Sequence, residues 1–440
     1  MKKLLLIQPS PYQKNKSVIK KNKLYFVGLS LPLLAALTPT DWKIQLVYEV
    51  IEDIPWDTDA DIIGISTMGH GVIRSIDIAK EFRRRGKTVI LGGYMASIMP
   101  DEAMKYCDSL LIGDAELVWE ELLDDFVNNR LKRKYEKPLN EEYYSTPLPR
   151  FDLLKDKKLG DFLPVQAGRG CPNVCSFCSV SCLYKGKYFK KSIEEVLRDI
   201  KQIKNLGYNK VLLLDDNIFS DKNYLKELLN EIKKLNITWM SQCDIRIGKE
   251  DEILKLLYDS GCRTLSFGLE SISRESLIKM DKGWANPNEY GMLIDNIRNH
   301  GIDVSTEMVV GGEGDTLESI RATKDFIEKN KISVPRFYIL TPFPGTKFFD
   351  EVKDSGRLIN YDIYTYDGTK AVYMPNNMTH EELTNAYWEL YNSLFTYRSI
   401  LKRNILRREI LKTPSRYLFN VVVNLYYRKQ IKEGITPNIF

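Results

Sequence analysis

The sequence has no long apolar segment and only a few cysteines. Its 440 residues contain no uninterrupted apolar run of about 18 residues, which excludes a membrane-spanning helix. Seven cysteines, an odd number in a long chain, argue against a disulfide framework. The 64 basic residues exceed the 59 acidic ones too slightly to favour a nucleic-acid partner. With 43% hydrophobic and 28% charged residues, the composition is globular, neither disordered nor of low complexity.

The first residues resemble a secretory signal for six positions only. The apolar stretch that ends at Ile7 is too short for the hydrophobic region of a signal peptide, and no small-residue cleavage site follows it. We therefore expect a buried first strand and a cytoplasmic protein.

The pattern along the chain predicts an α/β fold with several parts, because this length usually forms two or three domains of about 100–200 residues. Residues 1–135 alternate strands with amphipathic helices, which predicts a doubly wound, Rossmann-like parallel sheet. Three prolines mark residues 136–160 as a linker. In residues 161–345 a helix–glycine–strand pattern predicts about six βα units, a partial (β/α)6 barrel. Residues 346–440 are predicted to be mostly helical.

The C-terminal fifty residues are basic and rich in aromatic residues. Residues 391–440 contain ten Lys or Arg and two Glu, with Phe and Tyr interleaved. Two interpretations stay open for this basic region. It is either a solvated helical face packed on the barrel or a patch that contacts a membrane surface.

Four of the seven cysteines fall within twelve residues. Cys171, Cys175 and Cys178 form C-x-x-x-C-x-x-C directly after the first predicted strand of the barrel. Three thiolates on one loop can bind three irons of a four-iron, four-sulfur cluster, which leaves one iron for a small chelating ligand. Structural zinc normally takes four ligands in two pairs, a spacing that is absent here. Cys182 is either a fourth ligand or a small apolar packing residue.

This motif, with Phe177 before its last cysteine and a six-unit barrel around it, resembles the radical S-adenosylmethionine (SAM) superfamily. The resemblance covers about residues 160–345. It implies that the three cysteines hold a [4Fe-4S] cluster and that SAM chelates the open iron. It further implies a reductant such as flavodoxin or ferredoxin, and a 5′-deoxyadenosyl radical that abstracts a substrate hydrogen.

Two further segments resemble SAM-contacting parts of this family. Asp215-Asp216-Asn217 ends the second barrel strand, near the expected methionine end of SAM. The segment 266–271 ends the fourth strand, near the expected ribose, whose hydroxyls Glu270 can bind. Alternatives stay open: Asp216 as a helix cap, Glu270 in a rim salt bridge, and Gly311-Gly312-Glu313-Gly314 as an adenine contact or a bare turn. The candidate SAM-binding residues are Asp216, Asn217, Gly268, Glu270 and Ser271.

The first domain resembles the cobalamin-binding domain that precedes the barrel in one branch of radical SAM enzymes. The matching segments are D-I-I-G-I-S-T from Asp61, L-G-G-Y from Leu91 and G-D-A-E from Gly113, each at the end of a predicted strand. Small residues there let the backbone line a slot for a flat ring. The candidate cobalamin contacts are Ser66, Thr67, Gly92, Gly93, Gly113 and Glu116.

One departure concerns the lower axial ligand of cobalt. The D-x-H-x-x-G pattern is missing after the first strand, where Gln8-Pro9-Ser10-Pro11 stands, so no histidine is carried over. His70, in a nearby predicted loop, is an axial ligand, a contact to the nucleotide tail, or a residue without special role. Cobalamin is often bound without a histidine in this branch, and it therefore remains expected.

Within the branch, the resemblance is to hopanoid methylases and the anaerobic bacteriochlorophyll cyclase. It implies a cobalamin-dependent methyltransferase that methylates an unactivated carbon through methylcobalamin and a 5′-deoxyadenosyl radical. The alternative is radical oxidation, cyclisation or rearrangement without methyl transfer. A sensor without turnover is disfavoured because the SAM segments are intact. A methylthiotransferase would need a second cysteine triad in the first domain, where only Cys107 stands.

The resemblance also implies the partners. The expected substrate is a small molecule, hydrophobic or lipid-like, and nucleic acid is not expected. If the basic C-terminus contacts a membrane, the protein is peripheral at the inner membrane surface.

Overall fold

A computed structural model gives the fold. It describes residues 1–13, 16–67, 69–360, 366, 368–406, 411 and 414–437, apart from the side chains of His70 and Ser415. The chain divides into two compact units. The first consists of Met1–Gly168 and Tyr188–Leu212, and the second consists of Arg169–Lys187 and the chain from Leu213 onwards.

The strands alternate with helices along most of the chain. In chain order the strands are β1 (Lys3–Gln8), β2 (Leu24–Phe26), β3 (Lys43–Tyr48), β4 (Ile62–Ser66), β5 (Thr88–Gly92), β6 (Ser109–Ile112), β7 (Lys134–Glu136), β8 (Leu159–Val165), β9 (Gly168–Gly170), β10 (Tyr188–Lys190), β11 (Lys210–Leu213), β12 (Thr238–Cys243), β13 (Cys262–Glu270), β14 (Asp303–Val310) and β15 (Val334–Ile339).

The α-helices follow the same alternation and then continue alone to the C-terminus. They are α1 (Ser30–Leu37), α2 (Val72–Arg84), α3 (Tyr94–Ile98), α4 (Pro100–Ala103), α5 (Trp119–Val127), α6 (Ser179–Tyr184), α7 (Ile193–Asn205), α8 (Lys222–Lys233), α9 (Asp251–Asp259), α10 (Arg274–Lys279), α11 (Pro287–Asn299), α12 (Leu317–Lys329), α13 (Lys347–Asp354), α14 (His380–Leu394), α15 (Tyr397–Asn404) and α16 (Pro414–Lys432).

A six-stranded sheet in the order β3-β1-β4-β5-β6-β7 forms the core of the first unit. Its neighbouring strands are parallel. Residues such as Leu5, Ile63 and Leu91 are fully buried, as expected for a parallel sheet with both faces covered. Because β4, β5 and β6 are adjacent and parallel, the loops after them lie at one edge of the sheet. Ligands of such sheets bind at this edge.

The second unit contains the parallel strands β12 to β15 in sequential order, with helices α9, α11 and α12 between them in the chain. Buried apolar residues alternate with half-buried ones along β13, β14 and β15. The half-buried set, which shares the other face of the sheet, is largely polar. It includes Ser266, Gly268, Glu270, Ser305, Glu307, Arg336 and Tyr338.

Local capping explains where several helices begin and end. Ser192 accepts a hydrogen bond from the Glu195 N–H at 3.2 Å and begins α7, as its capping pattern predicts. Gly261, after α9, has φ 98°, and a Cβ there would clash with the Ile237 carbonyl oxygen, so only glycine fits this turn. The helix–glycine–strand pattern is thus a steric requirement here.

The strands β2 and β7 are absent from the sequence-based prediction. Each has three residues, which is too short for an alternating pattern to be read. A 3-10 turn at Ala115–Leu117 precedes α5. Within the described residues, no helix combines the length and apolar character needed to cross a bilayer.

Candidate active site

The three motif cysteines lie on a loop between β9 and α6, and the second unit holds this loop by the backbone of Ser176. The Ser176 N–H donates to the Met280 carbonyl at 3.1 Å, and the Ser176 carbonyl accepts from the Phe348 N–H at 3.0 Å. The Cys178 N–H donates to the Cys175 carbonyl at 3.1 Å. The loop is therefore fixed by its backbone.

The three thiols share one environment. Burial, with smaller contributions from the nearby thiols of Cys178 and Cys171, raises the pKa of the Cys175 thiol to about 12. Burial also raises the pKa of Cys178, while backbone N–H groups of Val180 and Ser181 at the start of α6 lower it. The backbone N–H groups beside Cys178 suit a thiol that ionises when it binds iron.

The C-x-x-x-C-x-x-C spacing of this loop suits a four-iron cluster. Among the described residues, no three His, Cys, Asp or Glu side chains are grouped closely enough to hold one metal ion. Cys182 lies one turn into α6, where its N–H donates to the Cys178 carbonyl at 3.2 Å. Its charged neighbours are Lys185 and Asp350.

Asp216 fastens the cysteine loop. Its Oδ2 accepts a hydrogen bond at 2.7 Å from the N–H of Gly170, the residue before Cys171. The cap of the next helix, α8, is Asp221, which accepts from the N–H groups of Asn223 and Tyr224 at 3.0 Å. The interpretation of Asp216 as that helix cap is therefore wrong.

Asn217 joins the cysteine loop to the end of β12. Its Oδ1 accepts from the Asp244 N–H at 3.1 Å, and its Nδ2 lies 3.3 Å from Asp244 Oδ2 and 3.6 Å from Cys171 Sγ. Arg246 pairs with Asp244 at 2.7 Å and donates to Asn173 Oδ1 at 3.1 Å. The guanidinium of Arg246 is thus hydrogen-bonded to the cysteine loop through Asn173.

Glu270 and Lys282 form a buried ion pair at the end of β13. Lys282 Nζ lies 2.7 Å from Glu270 Oε1 and donates to the Gly268 carbonyl at 2.8 Å. Burial opposes the charge on Lys282, but Glu270 and the nearby Cys175 raise its pKa above its ordinary value. Glu270 does form a salt bridge, yet its side chain is 12% exposed, so the pair is interior and not at a rim.

The backbone at the end of β13 is shaped for this carboxylate. Glu270 has φ 61°, and the pairing with β14 shifts register between Gly268 and Glu270. A Cβ on Gly268 would lie 2.5 Å from Glu270 Oε1 and 3.4 Å from Lys282 Nζ. Gly268 therefore makes room for the folded-back Glu270 side chain.

Ser271 belongs to a second buried group centred on Asp315. Asp315 Oδ1 accepts from Ser271 Oγ at 3.2 Å and from Ser276 Oγ at 2.6 Å. Its Oδ2 accepts from the N–H groups of Gly311 and Gly312, both at 3.0 Å. The glycine turn after β14 is thus tied down by a carboxylate, which supports the interpretation of a structural turn.

A charged pair lies on the inner face of the second unit's sheet, among the half-buried residues. Arg336 on β15 pairs with Glu307 on β14, and Ser266 Oγ on β13 lies 3.4 Å from Glu307 Oε1. Burial raises the pKa of Tyr338, and both Arg336 and Glu307 are close enough to affect it. This face can therefore orient a polar group of a substrate.

In the first unit, the loops after β4, β5 and β6 are cross-linked. Thr67 is fully buried, and its Oγ1 donates to the Gly92 carbonyl at 2.8 Å and lies 3.3 Å from the Ala96 N–H. Ser97 Oγ donates to the Gly93 carbonyl at 2.9 Å and accepts from the Gly113 N–H at 3.0 Å. Thr67 and Ser97 therefore fix the shape of this edge.

The glycines of the same loops differ in the space that a Cβ would have. Gly93 has φ 95°, and its Cβ would lie 3.2 Å from Thr67 N. Gly113 has φ 76° and open space where a Cβ would be. Ser66, Gly92 and Glu116 lie at the ends of β4 and β5 and just after β6, so the structure brings the six predicted contacts to one edge. The side chain of His70 lies outside the described residues.

Sequence reasoning missed several of these residues. Lys282, Arg246 and Ser97 follow no motif, and only tertiary packing brings them to their partners. Asp315 stands directly after the glycine turn. A carboxylate beside such a turn can accept hydrogen bonds from its backbone N–H groups, and this was the sequence signal that could have identified Asp315.

Comparisons with known proteins agree with this geometry. The model of the radical SAM superfamily matches residues 165–327. Bacteriochlorophyllide d C-8(2)-methyltransferase of Chlorobaculum tepidum is 33% identical over 422 residues, which are 92% of this chain and 91% of the relative. The chain belongs to the radical SAM methyltransferases. Bacteriochlorophyllide d C-12(1)-methyltransferase of the same organism is 30% identical and covers 91% of this chain and 89% of its own.

A solved structure shows the same fold. The cobalamin-dependent radical SAM enzyme OxsB, with aqua-cobalamin and SAM bound, superposes with a TM-score of 0.72 at 14% identity, covering all of this chain and 73% of its own. The predicted α/β fold, with a partial parallel barrel and a helical C-terminal region, is confirmed. Family membership confirms a carbon methyltransferase that uses a [4Fe-4S] cluster and SAM, with a small-molecule substrate and a reductant.

Proposed function

We propose that the chain methylates an unactivated carbon of a hydrophobic small molecule and uses cobalamin together with its cluster and SAM. The observation that carries this proposal is that one chain holds both a backbone-fixed three-cysteine loop and a glycine-lined edge of a doubly wound sheet. Both relatives are named as methyltransferases, which favours methyl transfer over oxidation, cyclisation or rearrangement. When bound, the cluster supplies the electron that cleaves SAM to a radical, and cobalamin supplies the methyl group.

The residues around the cysteine loop hold and orient these groups. Cys171, Cys175 and Cys178 are the proposed cluster ligands, and Asp216 and Asn217 fix their loop. Gly268, Glu270 and Ser271 are the proposed SAM contacts, together with Asp216 and Asn217. Since Glu270 is already paired with Lys282, its second carboxylate oxygen is the atom proposed to accept from the ribose hydroxyls.

The edge formed by the loops after β4, β5 and β6 is the proposed cobalamin site. Ser66, Gly92, Gly93, Gly113 and Glu116 would line it. Thr67, which is buried and bonded to Gly92, would act by holding the loop. The open space at Gly113 fits a bulky ring that approaches the backbone closely, and Gly93 lets its loop pack against the backbone of Thr67.

The proposed substrate is of the tetrapyrrole or lipid-like class. The two relatives are named for a bacteriochlorophyllide, a large, mostly apolar ring system. On the inner face of the second unit's sheet, the Glu307–Arg336 pair and Tyr338 offer polar contacts to such a molecule. The proposed reductant is a flavodoxin or a ferredoxin.

Labelled methyl transfer tests this function. The protein is reconstituted anaerobically with iron, sulfide and hydroxocobalamin. It is then incubated with SAM that carries a CD3 group, a chemical reductant and bacteriochlorophyllide d. A methyltransferase of this kind forms 5′-deoxyadenosine, S-adenosylhomocysteine and a product that carries the CD3 group. A product without the label, formed with 5′-deoxyadenosine alone, would instead show radical chemistry without methyl transfer. The Cys175→Ala variant is the control and should form no 5′-deoxyadenosine.

A further inference from the structure

The C-terminal helix α16 turns an apolar side to solvent. Its buried face carries Asn420, Asn424 and Gln430 beside Tyr417, Tyr427 and Ile431. Its opposite face carries Leu418, Phe419, Val422, Leu425 and Tyr426, which we call the outer face of α16; Phe419 is 62% and Val422 is 63% exposed. A helix on the surface of a globular protein normally presents polar residues on its solvent side.

Buried hydrogen bonds fix this orientation. Asn420 Nδ2 donates to Asp303 Oδ2 at 2.7 Å, and Asn424 Nδ2 donates to the Ser333 carbonyl at 2.9 Å. Asn424 Oδ1 accepts from the fully buried Arg403 at 3.0 Å. Rotating α16 to bury its apolar side would break all three bonds and leave polar groups without partners, so the outer face remains exposed.

The charged residues of helix α16 are of one sign. The helix Pro414–Lys432 contains Arg416, Arg428, Lys429 and Lys432 and no acidic residue. The last fifty residues hold ten basic and two acidic residues, so the first 390 hold 54 and 57 and are slightly acidic. The chain's whole positive excess is therefore concentrated in the region that carries the exposed apolar side chains.

Aromatic residues extend this surface onto α15. Tyr397 is 62% exposed, and the guanidinium of Arg428 lies 4.4 Å from the centre of its ring. Leu401, one turn further along α15, is also exposed. Aromatic rings and arginines beside aliphatic residues are the composition of helices that lie at a lipid–water interface.

We propose that the outer face of α16 docks the protein on an anionic membrane surface. The apolar side chains would enter the boundary between headgroups and acyl chains, and the basic residues would contact anionic headgroups. A second copy of this chain fits this surface poorly, because its symmetric contact would bring two acid-free basic helices together. The proposal concerns location and does not depend on the identity of the reaction.

Vesicle co-sedimentation of the full-length protein tests the proposal. The vesicles are pure phosphatidylcholine or phosphatidylcholine with about 30% phosphatidylglycerol. We expect binding to the anionic vesicles that is at least tenfold weaker in Val422→Asp and about fivefold weaker in Lys429→Gln. Met292→Asp is the matched control, since Met292 on α11 is also 63% exposed and lies outside the basic region. It should bind as the unmodified protein does.

Three results would overturn the proposal. One is a failure of the unmodified protein to bind either vesicle, and another is undiminished binding of Val422→Asp. The third comes from light scattering: a dimer that Val422→Asp converts to a monomer would show that a second copy covers this face. Circular dichroism of each variant confirms that an exposed substitution has left the fold intact.

Discussion

Lys282 and Glu270 form an ion pair inside the second unit, with Nζ 2.7 Å from Oε1 and each side chain at most 12% exposed. The same ammonium group donates to the Gly268 carbonyl at 2.8 Å. A buried charge keeps its ionised state only when its partner remains. This pair therefore fixes the Glu270 carboxylate at the end of β13, in the segment that is proposed to contact SAM.

Removing the lysine should destabilise the protein. Lys282→Met leaves Glu270 buried without its cation, and we expect the free energy of unfolding to fall by about 3 kcal/mol. Urea denaturation followed by circular dichroism measures this. Lys347→Met removes a lysine from an exposed pair with Asp281 and should cost less than about 1 kcal/mol. Equal losses of unfolding free energy in the two variants would show that the buried pair stabilises the fold no more than the exposed pair does.

A methyl group at Gly268 should weaken SAM binding. Its Cβ would lie 2.5 Å from Glu270 Oε1, so Gly268→Ala must displace the carboxylate. We expect the dissociation constant of SAM, measured by calorimetry on the reconstituted protein, to rise about tenfold, equivalent to about 1.4 kcal/mol. Gly283→Ala is the control, because its nearest neighbour would be Ile278 Cγ1 at 3.6 Å. Unchanged affinity in Gly268→Ala would argue against a role of Glu270 in SAM binding.

The motif cysteines and Cys182 should differ in their effect on iron content. Cys175→Ala removes a proposed ligand, whereas Cys182→Ala changes a thiol whose charged neighbours are Lys185 and Asp350. Iron and sulfide analysis after anaerobic reconstitution should show loss of the cluster in the first variant and full content in the second. A matching loss in both would make Cys182 a fourth ligand and close the iron that SAM is proposed to chelate.

Asn217 should affect how firmly the cluster is held. Asn217→Ala removes the bonds to Asp244 and the contact of 3.6 Å with Cys171 Sγ. We expect the protein to unfold about 2 kcal/mol more easily and to lose iron faster to a chelator. Asn223→Ala, at an exposed position of α8, is the control and should lose iron at the original rate. The same chelation rate in Asn217→Ala would show that the loop is fixed without this residue.

The glycine after β5 should matter for cobalamin. Gly93→Ala places a Cβ 3.2 Å from Thr67 N in a left-handed backbone, so the loop must shift. Retention of cobalamin through desalting, read from the absorption spectrum, should fall sharply. Gly86→Ala shares the positive φ but has no neighbour within 4 Å of the Cβ, and it should retain cobalamin. If both variants retain it equally, this edge is not the binding site.

Much of the fold could be predicted because its long elements carry strong patterns. The buried strands β1, β4 and β5 are continuous apolar runs, and the cap at Ser192 and the turn at Gly261 have clear chemical signatures. The short strands β2 and β7 carry no such pattern, and only their neighbours in the sheet make them strands. Helix α16 also resisted prediction of its orientation, since both its faces carry apolar residues and buried asparagines fix the inner one.

The candidate site was predictable where the residues that act together lie close to one another in the sequence. The spacing of Cys171, Cys175 and Cys178 indicates a cluster by itself. The role of Asp216 could not be predicted, because its partner Gly170 is 46 residues away and a helix cap was an open alternative. Lys282 and Arg246 required the tertiary structure, since a single lysine or arginine in a loop has no pattern.

The iron and cobalt contents of one preparation test the central claim most directly. The protein is reconstituted anaerobically with iron, sulfide and hydroxocobalamin, desalted, and analysed for both metals per chain. The account predicts about four irons and about one cobalt per chain, with iron lost in Cys175→Ala and cobalt lost in Gly93→Ala. A chain that retains its iron but no cobalamin would contradict the claim that it unites a cobalamin site with a radical SAM cluster.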